Sequence, residues 1–313
     1  MKEAKLLKQA FKSDKELDFT KFTVESRDMS LGTVDVAKST YGDYIIKKLP
    51  SVSKLYASCH KVPLESAKNI VAIQKNKIGK LVKMKELQDY VAQNADYDAV
   101  IMKPHKFGTM FVVSDELIED AGYDIKEDLK EQTLEAYGEL LDELCIMGDK
   151  ELEVEGLNDF DKATGAKEVT QITTGEVSVD DLMNLYHAVP KQYRKKGTWI
   201  FNDATSLEIA KLKDADGRPL MMPSYNTTPF GEDYLLLGRP VIINDHVTGL
   251  NEEGKAIFFG DLEKAYAVCP RKSLTLKSSS EYGFLNDSEA TKVNVRVDAK
   301  KMLEEAMAYL KTI

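Results

Sequence analysis

Apolar residues recur every three or four positions over a long stretch in the middle of the chain. They are Ile125, Leu129, Ala136, Tyr137, Leu140, Leu141, Leu144 and Cys145. A period of 3.6 places them on one face of a helix of about 22 residues, roughly 33 Å long. Gly148 follows as a stop signal. Because this helix is longer than the usual three turns, we expect it to act as a spine across the molecule.

Residues 61–87 show the partial alternation and β-branched apolar residues that are typical of strands. The apolar positions are Ile70, Val71, Ile73, Ile78, Leu81, Val82 and Met84. Asn76 and Gly79 are turn candidates, so the segment is predicted to form a long β-hairpin. A two-stranded hairpin is only marginally stable alone in water. It therefore either folds onto its own domain or reaches a neighbouring chain.

Beyond residue 150, predicted helices alternate with predicted strands, which favours an α/β or α+β fold. Ser178 and Asp203 are the predicted N-caps of two helices, and KKGTWIFN is a predicted buried strand between them. The remaining predicted elements are strand pairs at YLLLGRPVII and KAIFFGDLEKAYAV, strands at SLTLKSS and TKVNVRVD, and a last amphipathic helix with Leu303, Ala306, Met307 and Leu310 on one face.

The N-terminal part of the chain lacks the pattern of a core. A short amphipathic helix is predicted around Leu6–Phe11, and residues 20–40 have no clear period. We interpret this part as an extended arm that needs a partner surface. It contains no apolar stretch of the length of a secretory signal, and no run of 18 apolar residues occurs in the sequence, so no membrane span is expected.

The composition narrows the class of protein. The 313 residues are 43% hydrophobic and 30% charged, as in globular proteins. The net charge is −9, which disfavours tight nucleic-acid binding over the chain as a whole. The three cysteines, Cys59, Cys145 and Cys269, are far apart in sequence and are expected to be reduced, buried thiols in a cytoplasmic protein.

The charges are segregated along the chain. Residues 61–87 carry seven lysines and two glutamates, whereas residues 115–155 carry sixteen acids and three lysines. One interpretation is a solvated helix face. The other is that a basic hairpin meets the acidic helix of a second subunit, because charge complementarity steers association. The candidate contact residues are Lys75, Lys77, Lys80, Lys83 and Lys85 on the hairpin and Glu127, Asp128, Glu131 and Glu135 on the helix.

No known catalytic motif is visible in the sequence. GxSxG, HExxH, Walker A and GxGxxG are absent, and the four histidines are scattered. Asp214–Gly217 resembles the start of a calcium loop, but the glycine comes too early and position 223 is Pro. We therefore assign no catalytic, cofactor-binding or metal-binding residue and do not expect an enzyme.

Five segments, in order, resemble the major capsid proteins of tailed bacteriophages, the Hong Kong 97-like fold family. They are KFGTMFVVSDELIEDAGYDIKEDLKEQTLEAYGELLDELCIMGD (106–149), YRKKGTWIFNDATSLEIAKLKDADGRPLMMP (193–223), LLLGRPVIIND (235–245), AIFFGDLEKAYAV (256–268) and NDSEATKVNVRVDA (286–299). Each segment is weak evidence alone, but order and spacing agree over about residues 40–313.

This resemblance implies an α+β fold with named parts. They are an N-terminal arm (1–35), a first piece of the peripheral or P-domain (36–62), an extended hairpin called the E-loop (63–100), P-domain with the spine helix (101–150), the axial or A-domain (151–267), closing P-domain strands (268–299) and a C-terminal helix in the A-domain (300–313).

The resemblance also implies the function. Copies of the chain would form pentamers and hexamers of an icosahedral shell that encloses packaged double-stranded DNA without sequence-specific binding. The implied location is the virion capsid, assembled in the host cytoplasm, with a scaffolding protein, a maturation protease and a portal as further partners. No cofactor and no membrane contact are implied.

Two alternatives remain at the level of the sequence. A bacterial nanocompartment shell of the encapsulin kind would keep the fold and load a cargo enzyme instead of DNA. A cytoplasmic α/β enzyme or binding protein would act as a small oligomer.

Overall fold

The computed structural model describes ten stretches of the chain, which are residues 48–62, 69–74, 83, 97–120, 125–163, 165–171, 175–213, 216–223, 234–270 and 275–312. The predicted arm of residues 1–35 lies outside them.

The strands of the described residues are spread over the whole length of this region. In chain order they are β1 (His60–Lys61), β2 (Asn69–Gln74), β3 (Tyr97–Met102), β4 (His105–Ser114), β5 (Lys167–Thr170), β6 (Thr198–Phe201), β7 (Met221–Pro223), β8 (Tyr234–Leu236), β9 (Arg239–Ile243), β10 (Lys255–Gly260), β11 (Tyr266–Pro270), β12 (Thr275–Gly283), β13 (Ser288–Lys301) and β14 (Met307–Lys311).

The helices include one that is much longer than the rest. They are α1 (Lys54–Ser58), α2 (Asp115–Asp120), α3 (Ile125–Met147), α4 (Val179–Ala188), α5 (Lys191–Arg194), α6 (Asp203–Lys211) and α7 (Leu262–Ala265), with short 3₁₀ turns at Leu157–Asp159 and Glu304–Ala306. We call α3 the spine helix.

The strands form two large sheets and one separate pair, which confirms a mixed α+β fold. Sheet one has the order β1-β11-β13-β12, with β4 also paired to β13. Sheet two has the order β5-β14-β10-β6-β9-β8-β7. The remaining pair, β2 with β3, is antiparallel and shares no strand with either large sheet among the described residues.

The chain crosses between the two large sheets three times, once from β4 to β5 through the spine helix and then at two neighbouring places. Of these two neighbouring crossings, one is α7, between β10 and β11, and the other is the 3₁₀ turn between β13 and β14. They are hydrogen-bonded to each other: Asp261 N donates to Ala306 O at 3.1 Å, and Met302 N donates to Ala265 O at 2.8 Å. The prediction of a strand pair within KAIFFGDLEKAYAV is therefore wrong, because α7 sends its two strands into different sheets.

The spine helix confirms the predicted period of 3.6, although Ala136, which was placed on the apolar face, is exposed. It has 23 residues, and it buries Leu134, Tyr137, Leu141 and Leu144. Gly148 ends it with φ +69, a left-handed conformation that glycine adopts without strain. Gly138 allows close packing, because a Cβ there would lie 2.6 Å from Val52 Cγ1.

The end of the chain differs from the prediction. Leu303, Ala306, Met307 and Leu310 suggested an amphipathic helix, but residues 307–311 form strand β14. This strand pairs with β10 on one side and with β5 on the other. Its first four residues are all buried, so the C-terminal helix predicted for residues 300–313 is wrong.

Helix caps follow the sequence closely, with one shift. Ser178 caps α4 as predicted, in a reciprocal capping box with Asp181. For α6 the N-cap is Asn202, whose side chain accepts from Thr205 N, and the predicted cap, Asp203, is the first helical residue. Either side chain type suits the position.

The second strand of the hairpin, β3, lies further along the chain than the predicted residues 61–87. Strand β2 pairs with β3, in register from Asn69–Met102 to Gln74–Tyr97. The turn candidates Asn76 and Gly79 lie outside the described residues, so the position of the turn stays a prediction. Most of residues 75–96 lie outside the described residues.

The largest core lies around sheet two. Trp199 is fully buried and donates from Nε1 to Leu236 O at 3.0 Å. Its ring lies 4.4 Å from that of Phe259 on the neighbouring strand β10. Each such buried aromatic side chain stabilises the fold by about 1.5–3 kcal/mol.

Candidate assembly surfaces

A row of glutamates runs along the exposed side of the spine helix. Its members, each four residues from the next, are Glu127, Glu131, Glu135, Glu139 and Glu143. Residues four apart are neighbours on a helix, and each like-charged pair destabilises the helix by about 0.2–0.5 kcal/mol. We call this set the acidic row. It is about 24 Å long and concentrates negative charge that an opposite charge would relieve.

Three of the four acids predicted from the sequence as contact residues therefore lie in the acidic row, and one does not. Glu127, Glu131 and Glu135 belong to the acidic row, whereas Asp128 is half-buried and accepts from Gln132 Nε2 at 2.9 Å. Lys48 reaches Glu131 at 4.0 Å between two exposed side chains, which contributes little. Glu139 and Glu143 were not predicted as contact residues, although their spacing of four from Glu135 is visible in the sequence.

Four of the five lysines proposed to contact these acids lie outside the described residues. Lys83 is described and exposed. Lys75, Lys77, Lys80 and Lys85 lie outside the described residues. The structure does not bring the basic and acidic residues together within one chain, and the proposed contact between two chains stays a prediction.

A second surface is apolar and lies at the end of the β12–β13 hairpin. Tyr282, Phe284 and Leu285 are 68%, 81% and 93% exposed. The nearby helix α2 adds Leu117, which is 53% exposed. Clusters of large exposed apolar side chains mark interaction sites. We call these four residues the apolar tip.

The apolar tip is held by backbone bonds rather than by its own side chains. Asp115 N donates to Asp287 O at 2.8 Å, which connects α2 to the end of the hairpin. Gly283 admits no side chain, since a Cβ there would meet Ser288 O at 2.0 Å. This surface was not predicted from the sequence, although Tyr282 near the end of one polar strand and Phe284 and Leu285 directly after it are visible there.

An open apolar groove separates the spine helix from sheet one. A cavity of about 300 Å³ is lined by Phe107, Phe111, Tyr137, Leu140 and Val295, among others. The spine helix and the sheet therefore do not close over each other along their full length.

The root of the β2–β3 hairpin is fixed to the body of the molecule. Met102 is buried with Val62, Ala267 and Cys269 in a small separate core. Lys103 N donates to Asp298 Oδ2 at 2.6 Å, and Lys103 Nζ lies 3.2 Å from Glu153 Oε2.

Asp298 is the buried acid of this root. It is 1% exposed, and its Oδ1 accepts from Ala299 N at 2.8 Å. Burial raises the pKa of its carboxyl, although the backbone donors and Lys300 act in the opposite direction. A buried carboxylate held in this way has a structural role in tying the hairpin to β13.

The described residues offer no metal-binding group, and their histidines lie on different elements or loops. It contains no group of three or more His, Cys, Asp or Glu side chains placed to hold a metal ion. The histidines lie on separate elements or loops: His60 on β1, His105 on β4, His187 on α4 and His246 after β9. Within the same residues, no helix is both long enough and apolar enough to cross a membrane.

Comparison with known proteins gives one family. The profile of the Phage capsid family matches residues 34–312, which is nearly the whole chain. A comparison with curated proteins finds no match.

Several solved structures have the same fold. The capsid of an empty GTA particle, computed with C5 symmetry, is 18% identical with a TM-score of 0.71, covering 98% of this chain and 97% of that one. The capsid of a native GTA particle is 19% identical with a TM-score of 0.67, covering 99% and 98%. A chain from Microbacterium phage Oxtober96 is 13% identical with a TM-score of 0.62, covering 97% of each chain.

Proposed function

We propose, since this chain belongs to the Phage capsid family, that its copies assemble into the closed icosahedral shell of a phage or gene-transfer particle and enclose double-stranded DNA. Members of a capsid family are structural proteins, so the chain is a shell component and not an enzyme. The alternative of a small-oligomer cytoplasmic enzyme is thereby set aside.

The observation that carries the proposal is the β2–β3 hairpin. It is a two-stranded sheet, and among the described residues neither strand joins a larger sheet. A pair of strands is marginal alone, so the hairpin would gain stability from the surface of another subunit. The apolar tip supports the same conclusion, because Leu285 at 93% exposure has nothing to pack against within the described residues of its own chain.

We assign the two sheets to the two domains of the shell subunit. Sheet one and the spine helix would form the P-domain, from residues 36–62, 101–150 and 268–299. Sheet two would form the A-domain, from residues 151–267 and 300–313, whose copies would meet at the centres of pentamers and hexamers. Residues 63–100 would be the E-loop and residues 1–35 the arm.

In the proposed assembly, the acidic row would determine how the hairpin of one subunit is aligned on the spine helix of the next. The hairpin lysines Lys75, Lys77, Lys80, Lys83 and Lys85 of one subunit would contact the acidic row of the next, at its Glu127, Glu131 and Glu135 end and beside Asp128. Opposite charge there would offset the repulsion between adjacent glutamates. Such contacts between exposed groups weaken as salt is added.

Other partners follow from the same proposal. Assembly would take place in the host cytoplasm, with a scaffolding protein, a maturation protease and a portal. The net charge of −9 suits a wall that contains DNA without holding it tightly.

The test is to express the chain together with the genes next to it and to image the product by electron microscopy. Closed icosahedral particles containing nuclease-protected DNA are expected. Particles filled with a cargo enzyme would identify a nanocompartment shell instead, and a lasting dimer in the presence of scaffold and portal would contradict the proposal.

The apolar tip offers a matched variant for this experiment. Phe284→Ser with Leu285→Ser changes two side chains that are already exposed, so the subunit is expected to keep its thermal unfolding temperature. Particle yield is expected to fall at least about tenfold, because each buried apolar side chain at a contact contributes about 1.5–3 kcal/mol. Met183→Ser with Leu207→Ser, two exposed residues on α4 and α6, is the control.

A further inference from the structure

Sheet one has a second face, which points away from the spine helix. Successive side chains of a strand point to opposite faces of the sheet. Phe107, Phe111 and Val295 line the groove beside the spine helix, so the residues that alternate with them point the other way. On β4 and on its neighbours in the sheet, β13 and β12, these exposed residues include Lys106, Met110, Val112, Lys277, Lys292 and Arg296. We call these six residues the open face.

The open face is basic. Its four cations are exposed, and none of them has an ion-pair partner within the described part of the chain. Lys277 lies directly opposite Lys292, and Lys106 lies directly opposite Arg296. Like charges at directly opposite positions of two strands destabilise their pairing. A partner that brings negative charge to this face would therefore relieve repulsion within the sheet.

The open face is also partly apolar. Met110 and Val112 are 47% and 53% exposed, and Met110 lies directly opposite Lys292, so the apolar and basic side chains adjoin. A nucleic-acid backbone would pair with the cations but would leave the two apolar side chains unmatched. The chemistry of this surface therefore fits a protein surface that is both acidic and apolar.

The apolar tip has that combination. Around its four apolar side chains the exposed acids are Asp115, Glu116 and Glu119 on α2, and Glu281 and Asp287 at the end of the β12–β13 hairpin. The two segments that form the tip, residues 114–120 and 281–288, contain no lysine, arginine or histidine. The tip is therefore complementary to the open face in charge as well as in apolar character.

We propose that the apolar tip of one subunit docks on the open face of sheet one of a second copy of this chain. This part rests on the proposed function, in which many copies contact one another. Phe284 and Leu285 pack against Met110 and Val112, and the acids around the tip face the four cations, as charge complementarity at interfaces requires.

The contact forms between chains and not within one chain. The tip is the end of the same β12–β13 hairpin that carries part of the open face, so a paired sheet would have to fold back on itself to bring the two together. The contact joins two different surfaces of identical subunits. Such a heterologous contact can be repeated from copy to copy and closes into a ring when the rotation allows it.

The first test places one cysteine on each surface, in different copies of the full-length chain. Leu285→Cys protein and Met110→Cys protein are mixed at low salt with a short bis-maleimide, which spares the native cysteines because they are buried. A dimer cross-linked between positions 110 and 285 is expected, and peptide mass spectrometry identifies it. Met183→Cys, at an exposed methionine of α4, replaces Met110→Cys as the matched control and is expected to give no such dimer.

The second test removes the charge of the open face without threatening the fold. Lys277→Glu with Arg296→Glu, introduced into the Met110→Cys protein, converts two like-charged cross-strand pairs into opposite-charged pairs. The subunit is therefore expected to unfold at the same temperature or higher, whereas the cross-link yield is expected to fall about fivefold or more. Lys191→Glu with Lys195→Glu, two exposed positions around α5, changes the net charge equally and is expected to leave the yield unchanged.

Absence of the cross-link between positions 110 and 285 would overturn the proposal, as would a cross-link yield that the open-face variant does not change. If that variant assembles normally but packages less DNA, the open face contacts nucleic acid and the proposal is equally wrong. The cross-link is read on concentrated free subunits as well as on particles. Cross-linked chains that form no closed particles would therefore count against the proposed function, and particles without the cross-link would count against this contact alone.

Discussion

A half-buried aspartate, Asp142, and a buried one, Asp298, connect segments that are far apart in the chain. Asp142 on the spine helix accepts from Ser53 Oγ at 2.6 Å, where Ser53 is the N-cap of α1. Asp298 on β13 accepts from Lys103 N at the hairpin root. Burial raises the pKa of both carboxyls. Each carboxyl group therefore links two segments by hydrogen bonds, but its charged form is kept partly or wholly from water, which is unfavourable.

Asp298→Ala is expected to destabilise the subunit by about 1–3 kcal/mol, because it leaves the partly buried N–H of Lys103 and the buried N–H of Ala299 without this acceptor. Asp298→Asn has the same shape and keeps one acceptor, so its effect is expected to be smaller. Urea unfolding of the isolated subunit measures both. Equal stability of the alanine variant and the wild type would show that the hairpin root does not need this carboxylate.

The raised pKa of Asp142 predicts a pH effect with a definite sign. Because the folded state binds this proton more readily than the unfolded chain, the group's contribution to stability is complete below the unfolded pKa of about 3.9. That contribution is lost as pH rises through the higher folded pKa. Asp142→Asn stays neutral, so its stability relative to the wild type is expected to increase from pH 4 to pH 7.

Urea unfolding of Asp142→Asn at several pH values checks this. Glu139→Gln, on the exposed side of the same helix, is the matched control. A stability difference between Asp142→Asn and the wild type that does not change with pH would contradict the prediction.

Among the secondary-structure elements, β14 is a strand that the sequence pattern wrongly predicted as a helix. Its residues Met307–Leu310 are all buried, because the strand lies between β10 and β5. A short run that is apolar on both faces has no period of two, and a buried strand then cannot be told from a buried helix. The spine helix, by contrast, has one exposed and one buried side over 23 residues. Its first and last residues were therefore closely predictable.

Ala308 separates the two interpretations of the C-terminus. In the predicted helix it lies opposite the apolar face, where a glutamate would be tolerated. In the structure it is fully buried and paired with Phe259. Ala308→Glu is expected to destabilise the subunit by at least about 3 kcal/mol, whereas Lys311→Glu, at an exposed position, is expected to be nearly neutral. An Ala308→Glu protein as stable as the wild type would refute the strand.

The candidate surfaces were less predictable than the core. The sequence shows that the spine helix is rich in acidic residues. These residues form one row on its surface only because the helix is continuous from Glu127 to Glu143. The apolar tip depends on pairing between β12 and β13, which leaves Phe284 and Leu285 in the turn. No local pattern shows that a neighbouring element is missing, because exposure is a property of the folded chain.

For the whole molecule, the separation of charge is the main assembly prediction. Lys80→Glu, Lys83→Glu and Lys85→Glu together are expected to weaken the contact between subunits about tenfold or more at low salt, because several attractive pairs become repulsive. Sedimentation of the assembled particles measures this. The subunit itself is expected to keep its circular dichroism spectrum.

A compensating change makes this test specific. Glu131→Lys, Glu135→Lys and Glu139→Lys, combined with the lysine reversals, are expected to restore particles, because the charges are exchanged rather than lost. If the combined protein assembles no better than the lysine variant, the acidic row is not the partner of the hairpin.

The two neighbouring crossings between the sheets have a mechanical consequence. A single connecting strand would let the two halves of the subunit swivel about it. Here α7 and the Glu304–Ala306 turn run side by side and are hydrogen-bonded to each other, so torsion of one crossing is opposed by the other. We therefore expect the subunit to resist twisting between its two sheets, so that the bending needed to close a curved shell would occur mainly at the contacts between subunits.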